Sequence, residues 1–188
     1  VTNKSMNKIF FIIGAFRSGT TAITKILGQA QNAQVFVEQN PKLSKESREL
    51  YDDTLLDPID TLTKKKLPNI EKVIQNENIY GDKSANYLHF IPYLKTIFKP
   101  KFIFIVRDGR DVVRSMIRWE QLVKSQFYRR AEDSPKYEIK KIEDDYWDYS
   151  LLRPKSGDDF FKKWKFLDHF EKVCWYWANF NKILLNHM

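Results

Sequence analysis

Cysteine occurs once in the 188 residues, at Cys174, so no internal disulfide can form. Its neighbours Val173, Trp175 and Tyr176 mark it as a buried small hydrophobe rather than a nucleophile. The three histidines, His89, His169 and His187, show no metal-ligand spacing, which argues against a zinc site. No apolar run approaches the roughly 18 residues of a membrane span. The longest, Ile9 to Ile13, is strand-sized. No signal-peptide pattern stands at the N-terminus. That start and the single cysteine favour a cytoplasmic location. Glycine is scarce, with six residues. A chain so sparing of glycine places it where backbone geometry demands it. Gly14, Gly19, Gly81 and Gly109 fall at the ends of strand-like runs, the first hint of a nucleotide-type site.

Charge is abundant and unbalanced. Lysine and arginine number 32 against 24 acids, a net charge of +8. A basic surplus points to an anionic partner without saying which. With 43% hydrophobic and 30% charged residues, the chain is neither disordered nor fibrous.

Lys8 to Ile13 reads as a buried parallel strand, and Thr20 to Gln29 as a helix with apolar residues at Ala22, Ile23, Ile26 and Leu27. Gln34 to Val37 is a second short strand. Residues 40–78 are polar and helical in pieces, with Pro41, Pro58 and Pro68 as helix starts or breaks. Lys64-Lys65-Lys66 reads as a solvated face. Ile79 and Tyr80 lead into Gly81, an amphipathic helix covers Asn86 to Phe98, and Lys101 to Val106 is another buried strand. A helix follows through Val112, Val113, Met116, Ile117 and Trp119. Residues 125–156 are irregular, and helical spacing returns from Asp158 to His187. There Phe160, Phe161, Trp164, Phe166, Trp175, Trp177 and Phe180 read as core. Strands alternating with helices predict an α/β fold with a central parallel sheet flanked by helices, a P-loop-like three-layer arrangement. Ligands of such sheets sit beyond the carboxyl ends of the strands.

Two motifs fall at those ends. Gly14-Ala15-Phe16-Arg17-Ser18-Gly19-Thr20-Thr21 follows a strand and opens a helix, with the glycine spacing of a phosphate-cradling loop. Unpaired amides and the positive end of the helix dipole attract an anion there. The lysine of a nucleoside-triphosphate loop is missing. Thr20 holds its place, and Arg17 supplies the positive charge from mid-loop. Phosphoryl transfer from a magnesium nucleotide is thereby disfavoured. The second motif runs from Phe102 through Arg107-Asp108-Gly109-Arg110-Asp111 to Ser115, again strand, turn and helix. Arginine offers a donor fork suited to phosphate.

The RSGTT loop after a strand resembles the 5′-phosphosulfate loop of sulfotransferases that use 3′-phosphoadenosine 5′-phosphosulfate (PAPS). It is most similar to the arginine-loop branch, which includes tyrosylprotein and many bacterial sulfotransferases. The resemblance implies that Arg17, Ser18, Gly19, Thr20 and Thr21 hold the phosphosulfate. It assigns the 3′-phosphate to Arg107 and Ser115, and proton abstraction from an acceptor hydroxyl to Glu38, with Asp82 and His89 in reserve. Gly81-Asp82-Lys83-Ser84 resembles the family's acid-lysine-Ser/Thr segment, making Lys83 a candidate to contact the sulfuryl group or acceptor; Ala85 replaces the usual proline. The implied cofactor is PAPS, with 3′,5′-diphosphoadenosine as product and no metal required. The implied acceptor is a hydroxyl on a small molecule, sugar, lipid or peptide. Tyr146, Trp147 and Tyr149, among Glu143, Asp144, Asp145 and Asp148, fall where the family varies with acceptor. Family members usually continue past a helix like 173–186. Residues 1–188 therefore read as one sulfotransferase-like domain, either cut at its C-terminus or minimal.

Two other classes compete. A degenerate P-loop kinase or hydrolase would use Asp108 as a Walker B magnesium ligand. A basic nucleic-acid-binding module would account for the charge, but the Lys and Arg residues are spread along the chain without a binding motif, and no nucleic-acid partner is expected.

Overall fold

The apolar run at the N-terminus forms a strand, β1 (Ile9–Gly14), in which Ile9, Phe11, Ile12 and Ile13 are all buried. Successive side chains point to opposite faces of a sheet, so burial at consecutive positions means that both faces are covered. A computed structural model describes residues 8–38, 43–76, 78–119, 151–155, 157–164 and 166–188. Three more strands join β1: β2 (Ala33–Val37), β3 (Ile79–Lys83) and β4 (Lys101–Ile105). Their order is β2-β3-β1-β4, and every pairing is parallel. The predicted α/β fold with a central parallel sheet flanked by helices is therefore the observed one.

The helices are α1 (Thr20–Leu27), α2 (Ser44–Tyr51), α3 (Pro58–Gln75), α4 (Ile91–Phe98), α5 (109–119), α6 (Phe161–Trp164) and α7 (His169–Leu185). Asp57 caps α3 by accepting from the Asp60 amide, and Pro58 occupies its first turn, where a missing N–H costs nothing. Asp168 and Glu171 form a capping box that starts α7. Below the sheet, Phe11 meets the rings of Tyr80, Tyr87, Phe98 and Phe102, which ties β1 to β3, α4 and β4.

Several expectations need correction. Pro68 lies inside α3 instead of ending it. The helix expected from Asn86 to Phe98 divides into a 3₁₀ turn (Ala85–Tyr87) and α4, with Ser84 capping the turn and Pro92 in the first turn of α4. The pattern from Asp158 to His187 likewise divides into α6 and α7. Gly81 lies in mid-strand, where a Cβ would stand 2.3 Å from the Phe10 ring. Cys174 is half-buried, and Phe160 and Phe166 are exposed, Phe166 by 78%, while Trp164 and Phe180 do join the core. Of the irregular stretch, Pro41 earlier in the chain and Glu143 to Tyr149 lie outside the described residues. No helix among the described residues is long and apolar enough to cross a membrane.

Candidate active site

The carboxyl ends of all four strands carry the predicted site residues, because parallel pairing brings those ends to one edge. Gly14 lies opposite Ile105, Ile12 opposite Lys83, and Val37 opposite Lys83.

At the end of β1 the chain turns tightly into α1. A Cβ on Gly14 would lie 2.6 Å from the Ile105 carbonyl oxygen and 2.7 Å from Ser18 Oγ, so only glycine lets the loop fold down on β4. Gly19 caps α1 at φ 99°, in left-handed backbone that suits glycine. Arg17 takes φ 64° without being glycine, which turns its exposed side chain across the loop. The Ser18 amide donates to the Ala15 carbonyl, so what Ser18 has to offer is its hydroxyl. That Oγ is buried and has no hydrogen-bond partner. The first-turn amides of α1 and an orphaned buried hydroxyl together form a cradle for an anion.

At the end of β4, Arg107 reaches back over this loop. Its Nη1 donates to the Arg17 carbonyl at 3.2 Å, and its Nη2 stands 3.7 Å from Asp111 Oδ2. Arg17 Nε in turn donates to Ser115 Oγ on α5 at 3.1 Å. Two guanidinium groups, two serine hydroxyls and a helix start thus gather in one patch suited to anions. The Asp108 carboxylate takes the side chain and amide of Arg110, at 3.1 Å, 2.7 Å and 2.9 Å. Those bonds from Arg110 hold the Asp108 pKa at about 2. A Walker B magnesium ligand would need these oxygens for the metal. Among the described residues, no group of three or more His, Cys, Asp and Glu side chains is placed to hold a metal ion.

Glu38 follows β2 at φ 50°, a second non-glycine residue in left-handed backbone. Its amide donates to the Lys83 carbonyl at 2.8 Å. Its Oε1 accepts from Lys83 Nζ at 2.7 Å. Both ends of Glu38 are therefore held by the last residue of β3. Lys83 is 9% exposed and Glu38 36%, so the lysine is the walled-in partner and the carboxylate faces outward. A charge-assisted bond of this kind orients the carboxylate.

The two reserve bases sit elsewhere. Asp82 is fully buried, and its Oδ2 accepts from Lys66 Nζ at 3.1 Å, from Tyr80 Oη at 3.2 Å and from Tyr87 Oη. Burial raises its pKa, and burial also lowers that of Lys66. Lys66, expected on a solvated face, is 2% exposed and belongs to this cluster, while Lys64 stays in water. The face of α3 decides this: Leu62, Lys66, Ile70 and Val73 share one buried stripe at helical spacing. His89 is half-buried against the Tyr51 ring at 4.7 Å. Loss of hydration pushes its pKa down to about 3, and Arg48, Lys155 and His187 add nearby positive charge.

Sequence reading missed two polar contacts from α7. Phe16 N donates to Tyr176 Oη at 3.0 Å, and Trp177 Nε1 donates to the Arg107 carbonyl at 3.1 Å. The signal in the sequence was a run of aromatic residues with polar tips, Trp175, Tyr176 and Trp177, within one turn of a helix.

The family model described as the sulfotransferase family matches residues 10–168, a span that contains both anion loops, Glu38 and Lys83. No curated protein and no solved structure matches the chain.

Proposed function

Because the chain belongs to the sulfotransferase family, we propose that its donor is PAPS and that it moves a sulfuryl group to an acceptor hydroxyl. One observation carries this reading: Arg17, Ser18, Arg107 and Ser115 converge at the ends of β1 and β4, and Glu38 and Lys83 meet at the ends of the two strands on the other side of β1.

When bound, PAPS supplies an activated sulfuryl group whose departure leaves 3′,5′-diphosphoadenosine. Arg107 and Ser115 hold the 3′-phosphate. The amides of Gly19, Thr20 and Thr21 and the Ser18 hydroxyl hold the phosphosulfate end. Arg17 offsets negative charge as it builds on the leaving oxygen. Glu38 takes the proton of the acceptor hydroxyl, and Lys83 holds that carboxylate in place. Lys83 also adds positive charge on the acceptor side.

Calorimetric titration with 3′,5′-diphosphoadenosine, with and without a chelator, tests the donor. Binding that survives chelation and exceeds that of ATP with magnesium is expected. Preference for magnesium ATP, or no binding of the diphosphate, would overturn the reading.

A further inference from the structure

The structure assigns a positioning role to two adjacent residues of α7, Tyr176 and Trp177. They brace the two anion loops against one helix and so set the distance between them. This rests on the donor reading above.

The two loops leave neighbouring strands, β1 and β4, and beyond the strand pairing that ends at Gly14 and Ile105 the side chains of Arg17, Arg107 and Ser115 tie them to each other at the surface. Such contacts are screened by water and cost side-chain entropy, so they set geometry weakly. The bonds from α7 come from one packed helix: the Tyr176 bond is half-buried, and the Trp177 bond, though at the surface, is made by a half-buried indole. Tyr176 is 1% exposed, and its Oη accepts from the Phe16 amide inside the first loop. Its ring also packs against Phe16 and Phe180. Trp177 donates through Nε1 to the carbonyl of Arg107 itself. The same indole floors the start of α5, for a Cβ on Gly109 would lie 2.9 Å from its ring. Consecutive residues of a helix point about 100° apart, so one rigid backbone reaches both loops at once. Neither bond uses a group assigned above to the nucleotide. Both fix main chain from which donor-binding groups project, and small misplacements of such groups weaken binding steeply.

Trp177→Phe removes the indole donor and keeps an aromatic ring. It should weaken 3′,5′-diphosphoadenosine by about threefold to tenfold, the worth of one net hydrogen bond, and leave adenosine 5′-monophosphate nearly unchanged. Tyr176→Phe should weaken both nucleotides, because it frees the loop that they share. The deciding measurement repeats Trp177→Phe in an Arg107→Ala background, with melting temperatures recorded alongside. If Trp177 acts through Arg107, it then has no further effect on the diphosphate. Equal losses on both nucleotides, or a full loss that persists without Arg107, would reduce Trp177 to a packing residue and overturn the inference. Should Trp177→Phe fail to fold, Gly109→Ala perturbs the same contact from the other side and must reproduce the selective loss. A wild-type protein that binds no diphosphate would instead refute the donor reading.

Discussion

Replacing Lys66 by methionine isolates the buried charge beneath the site. Lys66 and Asp82 are 2% and 0% exposed, with Nζ 3.1 Å from Oδ2. At an effective dielectric of about 20, two unit charges at that separation attract by about 5 kcal/mol. Much of this offsets the loss of hydration, so the pair adds little net stability. Removing one partner is a different matter, since it strands the other charge in the core at a cost of about 3–5 kcal/mol. Methionine has nearly the length of lysine, so cavity formation adds little. Tyr80 and Tyr87 would still donate to Asp82, which places the expected loss at the lower end of that range. Thermal unfolding followed by circular dichroism should show a drop of roughly 6–15 °C for a chain of this size. The pH dependence gives a second readout. Burial already raises the Asp82 pKa, and without Lys66 less opposes that rise. The folded carboxyl then keeps a proton that the unfolded one releases above its ordinary pKa. The folded state of the variant therefore binds more protons, and stability lost on raising the pH returns as the pH falls. The deficit relative to wild type should be smaller at pH 5 than at pH 8. A loss below about 1 kcal/mol with no pH dependence would refute the reasoning, since a buried ion pair cannot lose one member at so small a cost.

The remaining predictions concern the site and the acid limb. Arg107→Ala should weaken 3′,5′-diphosphoadenosine by about tenfold to a hundredfold and adenosine 5′-monophosphate far less, as calorimetry would show. Equal losses would move the 3′-phosphate elsewhere. Glu38→Gln should lower turnover, measured as release of 3′,5′-diphosphoadenosine with an acceptor alcohol, by about 10²–10⁴-fold while nucleotide affinity holds. Full activity in that variant would remove Glu38 from the base role. His89, with its pKa pushed to about 3, stays neutral in the folded state while the unfolded chain protonates it below about 6.5. Folded-state stability should therefore fall as pH drops from 6.5, by at most about 1.4 kcal/mol per unit from this residue. His89→Gln should flatten that part of the urea-midpoint profile; an unchanged slope would count against it.

Much of the site could be read from sequence because it depends on local geometry. A strand, a glycine turn and a helix occupy consecutive residues, so Gly14 to Thr21 and Phe102 to Ser115 announce their own form. Parallel pairing then obliges the loops to share an edge. Lys66 was misread for the opposite reason. A lysine triplet looks solvated until the helix phase and the buried Asp82 in the next element are known. Tyr176 and Trp177 lie 160 and 70 residues from the groups they hold, and no local pattern encodes such a pairing.

The amino-acid order alone determined the alternation of strands and helices, the two strand-turn-helix loops and the presence of Arg17 in a loop without lysine, since each depends on residues within a few positions. Tertiary structure alone decided that Glu38 and Lys83 hold each other, that Asp82 is fully buried, and that one helix bonds to both turns. Those outcomes follow from which side chains the packed sheet brings within hydrogen-bonding distance, and that distance is set by the whole chain.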